Sequence, residues 1–245
     1  MAFKPNFVKK KKRKQHGATF WDSEYQNPSH LKLSTNHSTD LEKFTRWIER
    51  RDREDILSGE SSVLDVGCGN GRNLIYLAKT FGNKGVGYDI SKTAVAQAVT
   101  ASKGLGLKYK ARSIAGSLEL EDESQQLVLD MMTSHFLNGE DRLNLRNEIH
   151  RVLKPGGFLF MKTFLKDEDL HTARLLKESP GKEIGSYTHP IMGVDEYVYS
   201  EEDLVNFLSE KFIVHKIYRS HKHTFRGQAR KRRTITIYAE KDPYL

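Results

Sequence analysis

Two carboxylates and three glycines carry the clearest chemistry in the chain. Asp65 sits in a short apolar run, and glycines at 67, 69 and 71 follow, with Asn70 among them and Asn73 opening a helical pattern. Glycines in this alternation let the backbone turn sharply from strand into helix, and they let a ligand approach main-chain N–H groups with no Cβ in the way. A dinucleotide fingerprint wants glycine at its first, third and sixth positions; the sixth here is Arg72, which argues against a pyrophosphate loop. Asp89 ends the next apolar segment, Gly85-Val-Gly-Tyr-Asp89, 24 residues after Asp65. Its two acceptor oxygens suit two vicinal hydroxyl donors such as those of a ribose. The plain structural alternative is a turn in which Asp89 and Ser91 only cap a helix.

The spelling Asp65-Val-Gly67-Cys68-Gly69-Asn70-Gly71 resembles the first motif of class I S-adenosylmethionine-dependent methyltransferases, and the resemblance runs from about Leu41 to Glu240. It implies S-adenosylmethionine as cofactor. Asp65 would lie near the ammonium, and the loop from Gly67 to Gly71, with Asn73 beside it, would hold the methionine end. Asp89 would bind the ribose, while Ile90, Ser113 and Ile114 would edge the adenine. Asp130, at the end of the fourth strand, completes the expected cofactor set. The acidic residue usual after the third strand is absent near Ser113. The same resemblance makes the cluster Thr19-Phe20-Trp21-Asp22-Ser23-Glu24-Tyr25 a lid over the cofactor, with core packing as the alternative.

Methyl transfer from a sulfonium is an in-line displacement whose donor is already activated, so the protein mainly positions the acceptor, an effect worth ~7–11 kcal/mol. A dedicated base is needed only if the acceptor holds its proton tightly. Strand four ends Leu127-Val-Leu-Asp130-Met-Met-Thr-Ser-His135, without the Asn/Asp-Pro-Pro-Tyr/Phe motif of adenine N6-methyltransferases. Covalent pyrimidine C5 chemistry would need a cysteine there, and the one cysteine is Cys68. Asp130 and Lys162 fall on the strands that carry two members of the Lys-Asp-Lys-Glu set of RNA 2′-O-methyltransferases. Lys32 is a candidate first lysine, but Thr234 or Thr236 stands where the glutamate belongs. His135 is a second catalytic candidate, because a histidine just past strand four titrates near neutrality. Tyr187, His189 and Tyr199 are candidates for an acceptor-side lid. No metal is expected: His221 and His223 have no acid or cysteine nearby to complete a zinc site.

The elements that would position these groups alternate. Strands are expected at 62–66, 84–88, 107–111, 126–132 and 157–163, with helices at 72–81, 92–103 and 140–153 between them, a pattern that means parallel pairing. Lys154-Pro-Gly-Gly157 reads as a tight turn before the fifth strand. A helix near 201–210 and strands near 212–218 and 234–239 follow, the strands forming a hairpin with a long basic connection. Thr39-Asp-Leu-Glu42 matches a capping box for an amphipathic helix carrying Leu41, Phe44, Trp47 and Ile48. The expected fold is α/β: a doubly wound, mostly parallel seven-stranded sheet with an antiparallel last strand. Residues 1–18 would be a basic tail, 19–58 an aromatic cap and helix, and 59–245 the cofactor-binding domain.

At 245 residues the chain suffices for one core with extensions. No apolar run is long enough to span a membrane, and the N-terminus lacks a signal-peptide core. One cysteine precludes an intrachain disulfide, and a cytoplasmic location is expected. Of the 40 Lys and Arg, seven lie in residues 1–16 and nine in 211–233, neither stretch holding an acid, so a net charge of +8 becomes −8 without them. Cations gathered in two segments suggest RNA or another polyanion as partner. The function expected is therefore methyl transfer to RNA through the N-terminal and 219–233 segments. The alternatives are a small-molecule or protein methyltransferase and a non-catalytic RNA-binding protein that keeps the cofactor.

Overall fold

In a computed structural model of the chain, which describes residues 17–30, 33–221, 224–225, 228–229, 231–242 and 244, the expected alternation is realised. Helices α1 (Ala18–Gln26) and α2 (Thr39–Glu49) precede β1 (Ser62–Val66), α3 (Arg72–Phe81), β2 (Lys84–Asp89), α4 (Lys92–Ala101) and β3 (Leu107–Ala111). The second half runs β4 (Gln125–Met131), a 3-10 turn at Ser134–Phe136, α5 (Gly139–Val152) and β5 (Leu153–Phe164). Then come α6 (Leu170–Glu178), β6 (Ser186–Thr188), β7 (Asp195–Tyr197), α7 (Glu201–Ser209), β8 (Phe212–Arg219), β9 (Thr224–Phe225), β10 (Gln228–Ala229) and β11 (Thr234–Lys241).

The main sheet has seven strands in the order β3-β2-β1-β4-β5-β11-β8. Pairing is parallel from β3 to β5, and β11 is antiparallel to both its neighbours. Strand order reverses between β1 and β4, so the connections leave in opposite directions there and open a crevice at the carboxyl ends. That is the end where Asp65, Asp89 and Asp130 lie.

Alternation along the strands sends their side chains to two cores. On one face Leu127, Leu129, Phe158, Phe160 and Tyr238 pack against Leu41, Phe44 and Ile48 of α2. Phe44 is wholly buried, with ring centroids 4.9 Å from Tyr238 and 5.2 Å from Phe160. Deleting that ring should cost about 3–5 kcal/mol. On the other face Val128, Leu159, Met161 and Ile237 pack against α5 and α7 through Leu145, Ile149, Leu204 and Leu208.

Two local expectations change. The cap of α2 is Ser38, whose side chain accepts from the Asp40 N–H, so the helix starts one residue earlier than a Thr39 cap allows. The turn at Lys154–Gly157 lies inside β5, which pairs from Leu153 onward with a register shift opposite Gln125–Leu127; Gly156, at φ +75°, absorbs the bend. The stretch 179–200 is an ordered insertion, with the β6–β7 hairpin on α6.

Candidate cofactor site

At the crevice the backbone of the glycine loop folds over β2. The N–H groups of Gly67 and Cys68 both bond to the Tyr88 carbonyl, at 2.7 and 2.9 Å. Gly67 and Gly69 take positive φ, and both are crowded: a Cβ at Gly67 would meet Thr133, and one at Gly69 would meet the Tyr25 hydroxyl. Asp89 faces the same space. Its Oδ2 accepts from Gly69 N–H and its Oδ1 from Ser91 N–H, both at 2.8 Å. A carboxylate offers about four lone-pair positions, so capacity for two hydroxyl donors remains.

These groups border a cavity of about 320 Å³. Its floor is Gly67–Asn70 and Asn73, one side Asp89 and Ile90, and its far wall Arg112, Ser113 and Ile114. Met131, Met132, Thr133, Phe136 and Leu137 form the side beyond β4. The roof comes from the N-terminal segment, through Gly17, Trp21, Tyr25, Leu33 and Ser34. Asp22 pins α1 by accepting from Ser91 Oγ at 2.6 Å and Thr93 N–H at 3.1 Å, and Trp21 meets Phe136 edge-on at 5.2 Å. The loop entering α2 is held by Asn70 to Ser34 O, Arg72 to Asn36 O, and Ser38 N–H to Asn73 Oδ1.

Asp65 lies beneath the loop, 1% exposed, and its Oδ2 has no hydrogen-bond partner among the described residues. Burial first, and the Asp89 charge second, push its carboxyl up to about 8. A buried acid with an unmatched oxygen under a glycine cradle suits a ligand bearing a cation. The free acceptor capacity of Asp89 beside a cavity walled by Ser113 and Ile114 has the chemistry a nucleoside needs.

Residues 63–157 match a protein-family model described as a methyltransferase domain. Residues 63–157 thus form a methyltransferase domain, and the seven-stranded sheet around them has the fold of class I methyltransferases. The chain is 26% identical to a SAM-dependent methyltransferase of known structure from Methanosarcina mazei, with a TM-score of 0.64 over 77% of this chain and 95% of that one. Among curated proteins it is 36% identical over 105 residues to an uncharacterized protein of Haemophilus influenzae, which covers 42% of each chain. It is 30% identical over 139 residues to demethylmenaquinone methyltransferase of Staphylococcus saprophyticus, covering 55% of this chain and 58% of that protein. The chain thus spans less than two thirds of the length of either curated relative.

The cofactor of this methyltransferase family is S-adenosylmethionine, and most residues expected to hold it line the cavity: Gly67, Cys68, Gly69, Asn70, Asn73, Asp89, Ile90, Ser113 and Ile114. Asp65, Gly71 and Asp130 do not line it. Gly71 instead caps α3, with φ +77°. Tyr88 is core, its hydroxyl donating to Leu118 O at 2.7 Å. The roof residues Trp21 and Tyr25 have one sequence signal, the aromatic cluster. Thr133, Met131, Met132 and Arg112 have none, because only the fold brings them to the cavity.

The three catalytic candidates are placed differently from the expectation. In the β4–β5 ladder Asp130 is opposite Met161 and Met131 is opposite Lys162. Lateral neighbours share a face and successive residues alternate, so Asp130 and Lys162 project from opposite faces of the sheet and do not form a catalytic pair. Asp130 is 2% exposed and faces α5; its Oδ1 accepts from Ser134 N–H at 3.1 Å, and burial pushes its carboxyl up to about 6. Lys162 reaches across to α2, its Nζ 2.6 Å from Asp40 Oδ2. His135 is 1% exposed, outside the cavity wall, and burial pushes its imidazole down to about 4.

The basic segment is also corrected in part. Arg233 is 7% exposed and donates to Ser220 O and Asp167 O, with Glu168 beside it. Arg232 pairs with buried Glu196, and Arg219 pairs with Glu201. These arginines bind the fold's own carboxylates and are not arrayed for phosphate. Lys231 is exposed. Residues 1–16, Lys32, Lys222, His223, Arg226 and Arg230, on which other expectations fell, lie outside the described residues. Among the described residues, no helix is long and apolar enough to cross a membrane.

Proposed function

We propose that the chain transfers the methyl group of S-adenosylmethionine to a small acceptor that meets the cofactor at the Met131–Leu137 side of the cavity. The observation that carries this reading is Asp89, held by Gly69 and Ser91 at the edge of a roofed cavity on the glycine loop. Bound there, the cofactor supplies an activated methyl group on a sulfonium.

The chain's own residues hold and orient. Gly67–Asn70 and Asp89 would take the two ends of the cofactor, Ser113 and Ile114 the base, and Trp21 and Tyr25 keep water out from above. Met131, Met132, Phe136 and Leu137 make an apolar approach, so an acceptor nucleophile would arrive stripped of water. No dedicated base is assigned, and catalysis rests on alignment. A small acceptor is favoured because Arg219 and Arg233 are engaged by the fold's own groups and Arg232 is buried beside Glu196, out of reach of a polyanion's backbone.

RNA is the second reading, supported by the lysine run 9–14 and a sequence pI of about 9.4. Calorimetry with S-adenosylmethionine and with NAD tests the cofactor, and no affinity for the former overturns the proposal. A radiolabelled methyl donor, offered separately with cellular RNA and with a small-molecule extract, tests the acceptor. Label appearing only in RNA would reject the small-acceptor reading.

A further inference from the structure

One residue before Phe136, whose ring lines the cavity, His135 turns into a cluster of buried polar groups that the cofactor does not use. Its ring lies tilted by 39° against Phe136 at 4.1 Å and meets Phe164 edge-on at 5.1 Å, and neither ring nitrogen has a hydrogen-bond partner among the described residues. The guanidinium of Arg232 lies on the same Phe164 ring, its Cζ 3.2 Å from the centroid, and 5.0 Å from the ring of Tyr187. Glu196, 1% exposed, accepts from Arg232 Nη1 and, at 2.8 Å, from the Tyr187 hydroxyl. The β6–β7 hairpin that carries Tyr187 and Glu196 packs on the 3-10 turn.

The unmatched atoms are specific. Arg232 Nε and Nη2 are buried without partners among the described residues, as is Glu196 Oε1. Nε and Nη2 form one edge of the guanidinium, where two N–H bonds point the same way and match the two oxygens of a carboxylate. Native interiors rarely leave such donors unmatched. The Glu196 charge on the opposite side of the guanidinium favours a monoanion over a dianion at that edge.

We propose that the Nε–Nη2 edge of Arg232 receives the carboxylate of the methyl acceptor, which makes the acceptor a small carboxylic acid. This inference rests on the methyltransferase reading above. The edge is closed to solvent, so the acid gains it when the β6–β7 hairpin moves aside. His135, held neutral, then offers one donor and one acceptor nitrogen beside Phe136.

The test is an NMR titration of the full chain, saturated with S-adenosylhomocysteine, using benzoate and its neutral isostere benzamide as probes. Benzoate should bind at least about tenfold more tightly. Arg232→Lys keeps a positive charge for Glu196 but loses the fork, and should reduce the preference to about threefold or less with cofactor affinity unchanged. Glu196→Gln keeps the fork and removes a competing charge, so it should tighten benzoate binding about threefold or more. Equal binding of the two probes by the native chain overturns the proposal, leaving ordered water as the partner of the fork. A preference retained in Arg232→Lys, or unchanged benzoate affinity in Glu196→Gln, does the same. Failure of the native chain to bind S-adenosylhomocysteine would instead reject the methyltransferase reading.

Discussion

Ser91 donates its Oγ–H to the Asp22 carboxylate at 2.6 Å while its own N–H is bonded to Asp89 Oδ1 at 2.8 Å. One serine therefore ties the roof helix to the acid assigned to the ribose. Asp22→Ala removes this tie and the bond from Thr93 N–H, and a charge-assisted hydrogen bond is worth about 1.5–3 kcal/mol. Cofactor dissociation followed by stopped flow should accelerate about tenfold or more. An unchanged rate would mean that α1 does not retain the ligand.

Asp89→Ala should weaken S-adenosylmethionine binding by about a hundredfold or more, since it deletes the ribose acceptors and frees the N–H groups of Gly69 and Ser91. Calorimetry reads this directly. Native-like affinity would remove the ribose assignment.

Cofactor affinity should rise with pH toward 8. Below that pH the ligand-free Asp65 carries a proton, and pairing with an ammonium requires it to leave, so binding releases a proton and strengthens as pH climbs. The sign for stability is the reverse: a carboxyl raised from 3.8 to about 8 by folding makes the ligand-free fold less stable as pH rises through that interval. Calorimetry at pH 6.5 in two buffers of different ionisation enthalpy should detect the proton. No buffer dependence would separate Asp65 from the cofactor.

His135 is buried neutral, its pKa lowered from 6.5 to about 4. The unfolded chain takes up its proton first, so this site's contribution is complete above pH 6.5 and is lost as pH falls toward 4, a change of roughly 3 kcal/mol. Replacement by Phe should flatten the acid limb of the denaturant-unfolding profile. An identical limb would place the acid sensitivity elsewhere.

Lys162→Met should leave turnover within about threefold of native, because the lysine projects to α2 and not into the cavity wall, while stability falls by about 1–2 kcal/mol with the loss of the partly buried Asp40 pair. Loss of turnover with cofactor binding intact would restore Lys162 as a catalytic group.

Much of the sheet is legible because its strands are runs of apolar residues punctuated by Gly, Pro and Asp, and the glycine loop names its own ligand class. Pleat phase is not legible. Asp130 and Lys162 each stand near the right end of the right strand, yet which face either takes depends on pairing with a neighbour, and a shift of one residue reverses it. Charge runs mislead for a related reason. Arg232 and Arg233 look like a phosphate surface until Glu196 and Asp167, far away in sequence, are folded onto them. The small β6–β7 strands are three residues each, too short to carry a period.

The hydrogen bonds that hold α1 to the start of α4 span 67 to 72 positions in sequence, and Trp21 waits for Phe136, farther still. A ribosome adding about 5–20 residues per second exposes α1 roughly ten seconds before its docking surface exists. Phe20 and Trp21 spend that interval as uncovered apolar side chains on a nascent chain, open to chaperones and proteases. Translation speed between Asn27 and Phe136 thus sets how long this vulnerable period lasts.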